Sequence, residues 1–261
     1  PLNTQMWQHL VNTCYQSMRP TNELEAAANN TSLQPLDLGD GPAGTRVAGH
    51  SVVALERYLP ARRLQRSQAV RAANYVLQTA DPGGINAAGP GANVGQGVVL
   101  NYAGEILKAA WEQTGESKYF YALQQKVSEV LEIDVKFTDD LCHRTELVCR
   151  FFFPTDYVAT AARIADQQNL PREERLASLA AARKLDARIK QQLKADLKRL
   201  RAIQKEDGSW GFNPGKWDEA KQAWVAQEDS PDPSPTALAI IAFQAAGVGP
   251  DDPAVSRAVQ A

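Results

Sequence analysis

Apolar residues recur at intervals of three or four through most of this chain, and no stretch alternates over more than four or five residues, so helices are predicted rather than strands. Trp7, Leu10, Val11 and Cys14 predict a short helix near 4–18. From Gly49, the residues Val52, Val53, Leu55, Tyr58 and Leu59 share one helical face until Pro60 interrupts it. A helix is predicted over about 65–78, with Val70, Ala73, Val76 and Leu77 inward, stopping at Asp81-Pro82-Gly83-Gly84. Others are predicted over about 98–113, ended by Gly115, and over about 118–133, where Tyr119, Leu123, Val127, Val130 and Leu131 form the apolar stripe. Residues 156–167 also read as helix. The stretch 138–154 fits no single period, and Phe151-Phe152-Phe153-Pro154 within it reads as a buried aromatic plug.

The longest pattern opens at Asn169-Leu170-Pro171-Arg172-Glu173-Glu174: a capping Asn, a Pro in the first turn, and acids where the helix dipole favours them. It continues to about Gln204, with Leu176, Leu179, Leu185, Ile189, Leu193, Leu197, Leu200 and Ile203 as the apolar stripe. Its polar face is basic, carrying Arg183, Lys184, Arg188, Lys190, Lys194, Lys198, Arg199, Arg201 and Lys205. Such a face is either simply solvated or a docking surface for an acidic partner or an anionic membrane. Long helices separated by Gly/Pro loops point to an all-α fold of helix pairs. Residues 1–48, rich in turn chemistry such as Asp37-Leu38-Gly39-Asp40-Gly41-Pro42, form an irregular segment ahead of a helical domain at 49–261.

Composition changes this picture little. With 261 residues, 44% of them hydrophobic, the chain can build a core without staples. A net charge of −2 gives no field that would gather nucleic acid. The most apolar stretch, Ala237 to Ala246, is far too short to span a bilayer, which leaves peripheral membrane contact only. Pro1-Leu2-Asn3-Thr4 has no basic start or apolar run of a secretory leader, and the missing initial Met fits a trimmed form. Cys14, Cys142 and Cys149 are either all free or include a Cys142–Cys149 disulfide, which would fit an exported protein. The glycines from Gly89 to Gly97 lack both the Gly-Lys-Ser/Thr ending of a phosphate loop and the preceding strand of a dinucleotide site, so no cofactor is expected.

The long helix ends in Gln204-Lys205-Glu206-Asp207-Gly208-Ser209-Trp210-Gly211-Phe212. Downstream, Pro233-Ser234-Pro235-Thr236-Ala237-Leu238-Ala239 opens a helix that Gly247 ends, and Asp252-Pro253-Ala254-Val255-Ser256-Arg257-Ala258-Val259 opens another. These three pieces, in this order, resemble the repeat of squalene–hopene cyclases and protein prenyltransferases, with its Q-x-x-D-G-x-W-G turn. The resemblance covers about 200–261; Val76-Leu77-Gln78-Thr79-Ala80-Asp81-Pro82-Gly83-Gly84 falls where another such turn would, without its Trp. It implies an α/α-toroid built of helical hairpins, in which Gln204, Asp207, Gly208 and Trp210 fasten one hairpin to the next. A closed ring needs more helices than are legible, so further repeats or another subunit are expected to complete it.

The resemblance also directs attention to chemistry. Cyclases of this family protonate an alkene from a D-x-D-D-T motif, whose nearest match is Asp232-Pro233-Ser234-Pro235-Thr236, without the later acids. Asp229 and Asp232 are the remaining acid candidates, and helix capping explains them more simply. The prenyltransferases hold zinc through Asp, Cys and His; Asp140, Cys142 and His143 are the thin counterpart, with no later His to complete the set. Trp210, Phe212, Trp217 and Trp224 cluster about a polar loop and form either helix-end packing or a platform for a sugar or apolar ligand. The expectation is a binding or assembly subunit. The alternatives are an enzyme on isoprenoid or lipid-like substrates whose catalytic residues lie elsewhere, or a polysaccharide-acting α/α barrel.

Overall fold

A computed structural model describes residues 66–78, 96–152, 156–229 and 233–260. The helices expected near 4–18 and 49–59, the irregular segment 1–48, Cys14 and Asp232 lie outside these residues. The described residues are mostly helical: α1 (Arg66–Gln78), α2 (Gln96–Thr114), α3 (Ser117–Val130), α4 (Thr138–Phe152), α5 (Tyr157–Gln167), α6 (Arg172–Ala202), α7 (Pro233–Ala245) and α8 (Pro253–Gln260). The exception is a small antiparallel hairpin between α6 and α7, β1 (Lys216–Asp218) with β2 (Ala223–Val225).

The chain divides into two compact units, Pro1–Lys126 and Val127–Ala261. In the first, α1 packs on α2 through Ala69, Ala72, Ala73 and Val76. Leu77, expected inward, is instead 37% exposed, because it lies at the edge of the face, about 90° from the middle of the set Ala69, Ala72, Ala73 and Val76. Tyr119 at the start of α3 donates its hydroxyl to Asn74 Oδ1 at 3.0 Å, and Phe120 packs on Trp111 at 5.0 Å between centroids. Every residue of the predicted α3 stripe is buried.

The second unit carries the features of interest. Its packing runs from α5 to α6, α6 to α4, α4 to α7, and α7 to α8. The ambiguous stretch resolves as α4, whose Phe151 packs on Tyr157 at 5.3 Å. No single period was visible there because α4 is buried on several sides and its polar residues are buried too: Thr138, Asp140, His143, Arg144, Thr145 and Glu146. Asp156 caps α5 by accepting from Ala159 N–H. Asn169 does not cap α6. It adopts φ +50 and ends α5, a left-handed conformation Asn tolerates, while Pro171 takes the N-cap place with no side-chain bond. Leu176, counted in the apolar stripe of α6, is 56% exposed, since at 100° per residue it falls opposite the buried Ala182, Leu185, Ile189 and Leu200. Asp252 caps α8 through Ala254 N–H, and Val248 N–H bonds back to Phe243 O at 2.9 Å where α7 ends.

A candidate interaction site around the Trp210 turn

The turn after α6 is held by its own side chains. Asp207 Oδ1 accepts from Ser209 N–H at 2.9 Å and from Ser209 Oγ at 2.7 Å, which together hold its carboxyl below the usual range. Gly208 lies at φ +90, and a Cβ there would meet Arg257 O at 2.5 Å, so both backbone conformation and close approach require glycine. Gln204 Nε2 donates to Gly208 O at 2.9 Å and to Ala254 O in α8 at 2.8 Å. Arg257 Nη2 returns a bond to Gln204 Oε1 at 2.5 Å. One side chain thus closes its own turn and fastens it to the helix of the following hairpin.

Trp210 is 0% exposed. Its indole Nε1 donates to Leu200 O at 2.8 Å, capping an orphan carbonyl at the end of α6, and its ring lies 6.0 Å from Phe243 of α7. Around it, Leu141, Cys142, Leu200, Ile203, Ala239, Ala242, Phe243, Ala254, Val255 and Ala258 form one buried cluster drawn from α4, α6, α7 and α8. Trp210 N–H bonds to Thr236 Oγ1 at 3.0 Å, tying the turn to the start of α7. The following residues tie it to α4: Thr138 N–H donates to Phe212 O at 2.8 Å, and Thr138 Oγ1 to Asn213 O at 2.9 Å. Phe212 itself is exposed.

Asp229 lies over Gly211. A Cβ on Gly211 would sit 1.8 Å from Asp229 Oδ1, so the glycine after Trp210 makes room for this carboxylate. Asp229 pairs with Lys205 Nζ at 2.5 Å and accepts from Asn213 N–H at 2.9 Å. Burial pushes the carboxyl up, but the bonds from Asn213 N–H and Lys205 outweigh it, and the group is held below the ordinary carboxylate range. It is therefore an ionised anchor at neutral pH, unsuited to protonating an alkene.

Trp217 and Trp224 face each other across the hairpin, their rings 5.8 Å apart and edge-on. The Arg199 guanidinium lies 3.6 Å from the Trp224 centroid while its Nε donates to Pro214 O at 2.9 Å, so one face of that indole is covered. Trp217 remains 38% exposed. The structure therefore joins Trp217 and Trp224 but sets Trp210 apart, inside the core.

The thin metal set disperses. Asp140 accepts from Lys136 N–H and Phe137 N–H, each at 3.2 Å, the back-reaching half of a capping box on α4. His143 Nδ1 approaches Glu146 Oε2 at 3.4 Å, and Arg150 also pairs with Glu146. Cys142 is buried within the core cluster, where burial raises its thiol well above the ordinary value; burial pushes the Cys149 thiol up to about 12. Among the described residues, no three His, Cys, Asp or Glu side chains are placed to hold one metal ion. Both cysteines are free. Seven residues along one helix puts them about 10 Å apart, beyond disulfide reach. The Cys142–Cys149 disulfide does not form.

One constellation escaped the sequence reading. Arg144 of α4 grips Asp196 of α6 with both ends of its fork, Nε to Oδ2 at 2.8 Å and Nη2 to Oδ1 at 2.6 Å, and both side chains are buried. Gln192 Nε2 adds a bond to Asp196 at 2.8 Å. Burial raises the Asp196 carboxyl even though Arg144 pulls it down. The same desolvation, with repulsion from Arg144, pushes Arg199 down to about 10, which leaves it charged at neutral pH. A signal was present: Asp196 lies between Leu193 and Leu200 at the spacing of the apolar stripe, where an acid must find a buried partner.

These features define a mostly α-helical protein with a stapled turn at the end of α6, and no helix among the described residues is long and apolar enough to cross a membrane. No family model, curated protein or solved structure matches the chain.

Proposed function

We propose that this chain is a helical-repeat protein of the α/α-toroid kind, in the manner of the squalene–hopene cyclase and prenyltransferase repeats, acting as a binding or assembly subunit rather than a catalyst. The observation that carries the reading is Gln204, which bonds its own turn and the next hairpin at once, over an indole that caps Leu200 O. A turn of this design lets successive hairpins stack, with α4 and α7 on one layer and α6 and α8 on the other, and a stack of hairpins offers extended surface for partners. Against catalysis stand the ionised state of Asp229 and the separate structural duties of Asp140 and Cys142. Incubation of the purified protein with squalene, and with isoprenyl diphosphates plus a thiol peptide and zinc, tests this by mass spectrometry of the products. Unchanged substrates are expected. A cyclised or peptide-transferred product overturns the non-catalytic reading, and an experimental structure with α4 and α7 in different layers overturns the toroid.

A further inference from the structure

Helix α6 segregates charge. Residues 171–205 hold eleven basic side chains against four acidic, while the rest of the chain holds seventeen against twenty-six. Much of this positive charge is used inside the fold. Lys190 pairs with Asp186, Arg188 with Glu132, Arg201 with Asp252 and Lys205 with Asp229, and Arg199 lies on Trp224. Arg175 pairs with Asp166, and among the described residues Arg172, Arg183, Lys184, Lys194 and Lys198 make no such bond and are exposed, Arg172 one turn ahead of Leu176.

The unused cations are not scattered. Leu176, Ala180, Arg183, Ala187, Lys194 and Lys198 advance by three, four or seven, which places them on one line, with Lys184 at its margin. Every one of these residues is exposed. The line lies opposite the face that buries Ala182, Leu185, Ile189 and Leu200, and by helical rise it is about 33 Å long. An exposed leucine alone is ordinary. Here it stands in register with the cations, and Ala180 and Ala187 keep the strip low between them.

We propose that this strip, from Leu176 to Lys198, docks an acidic amphipathic helix of a partner protein, a proposal that rests on reading the chain as a binding subunit. The partner's acids would pair with Arg183, Lys184, Lys194 and Lys198, and an apolar side chain would cover Leu176, seating on the small residues beside it. Charge complementarity sets the sign of the partner, and the narrow strip, one residue line wide, sets its shape. An anionic bilayer suits the strip less well, since the apolar face of α6 that would insert is already buried in the protein core.

The test is fluorescence anisotropy with a labelled synthetic helix carrying Glu on two flanks and Leu between them, at low and physiological salt. The whole protein is compared with the quadruple variant Arg183→Glu/Lys184→Glu/Lys194→Glu/Lys198→Glu and with Leu176→Ala. The expected results are saturable binding that weakens steeply with salt, loss of at least tenfold on charge reversal, and a smaller loss for Leu176→Ala. A quadruple variant that melts like the parent and binds the peptide equally well overturns the proposal. So does sedimentation of the parent with phosphatidylserine-containing vesicles when the peptide is not bound. None of these side chains bonds to the Trp210 turn, so peptide binding can fail while the repeat reading stands. Terpenoid turnover would strike that reading without touching the peptide result.

Discussion

The second unit uses tryptophan in two opposite ways, at the Trp210 turn and at the Trp217–Trp224 hairpin a few residues later. Trp210 is fully enclosed, its N–H satisfied by a helix-end carbonyl, and its neighbours come from four helices. The hairpin pair sits at the rim of that cluster, with Trp224 packed on its edge beneath Arg199 and Trp217 left at the surface. The difference teaches that the aromatic cluster seen in the sequence is two devices: a structural staple and a surface ribbon. Enclosure with a satisfied donor converts aromatic area into stability, whereas a cross-strand pair at the surface contributes mainly to its own hairpin.

The comparison breaks most directly at Trp210. Trp210→Ala should cost about 3–5 kcal/mol in denaturant unfolding, through a core cavity and an orphaned Leu200 carbonyl. A loss no larger than that of Trp217→Ala would erase the distinction. Nearly as large, Asp196→Ala should cost about 3–5 kcal/mol by leaving Arg144 buried without its counter-ion, whereas replacing Arg144 and Asp196 together by Met and Leu should be close to neutral. Urea unfolding of the single and double variants checks this, because Asp196 supports the helix on which both tryptophan regions rest.

Gly211→Ala should cost about 1–3 kcal/mol by forcing the Asp229 carboxylate away. In an Asp229→Gly background the same change should cost less, and thermal melts of the four proteins give the coupling. The pH dependence follows from the same carboxylate. The folded state holds Asp229 below its unfolded value, so its contribution to stability is complete above about pH 4 and is lost as pH falls through the lower folded value. Asp229→Asn should therefore lower the melting temperature at neutral pH and make its fall below about pH 4 shallower. Smallest of all, Trp217→Ala should cost less than about 1 kcal/mol, with loss of the far-ultraviolet exciton couplet of the indole pair in circular dichroism as its main trace.

Much of the architecture was legible in the chain. Period alone placed α1, α2, α3, α5 and most of α6, because each helix has one apolar side and a polar remainder. The Asp-Gly and Trp of the turn, the Pro-rich start of α7 and the Asp-Pro start of α8 announced themselves because capping and tight turns demand particular residues at particular offsets. Turn chemistry marked Asp207 and Gly208, whereas Gln204 and Trp210 joined them as a structural set only through the resemblance of this turn to a known repeat.

Sequence could not say what long-range contact alone determines. Helix α4 hid because burial on several sides removes the periodic signal, and two of its buried polar residues, Thr138 and Arg144, find partners far along the chain. The Arg144–Asp196 pair joins residues 52 apart, the seat of Asp229 over Gly211 spans a loop, and Leu176 turned outward because the packing of α6 chose a different face. Local spacing fixes which side chains share a helix face and where a turn must fall. Which face meets the core, and which charges are buried together, is settled only when distant segments compete for the same interior.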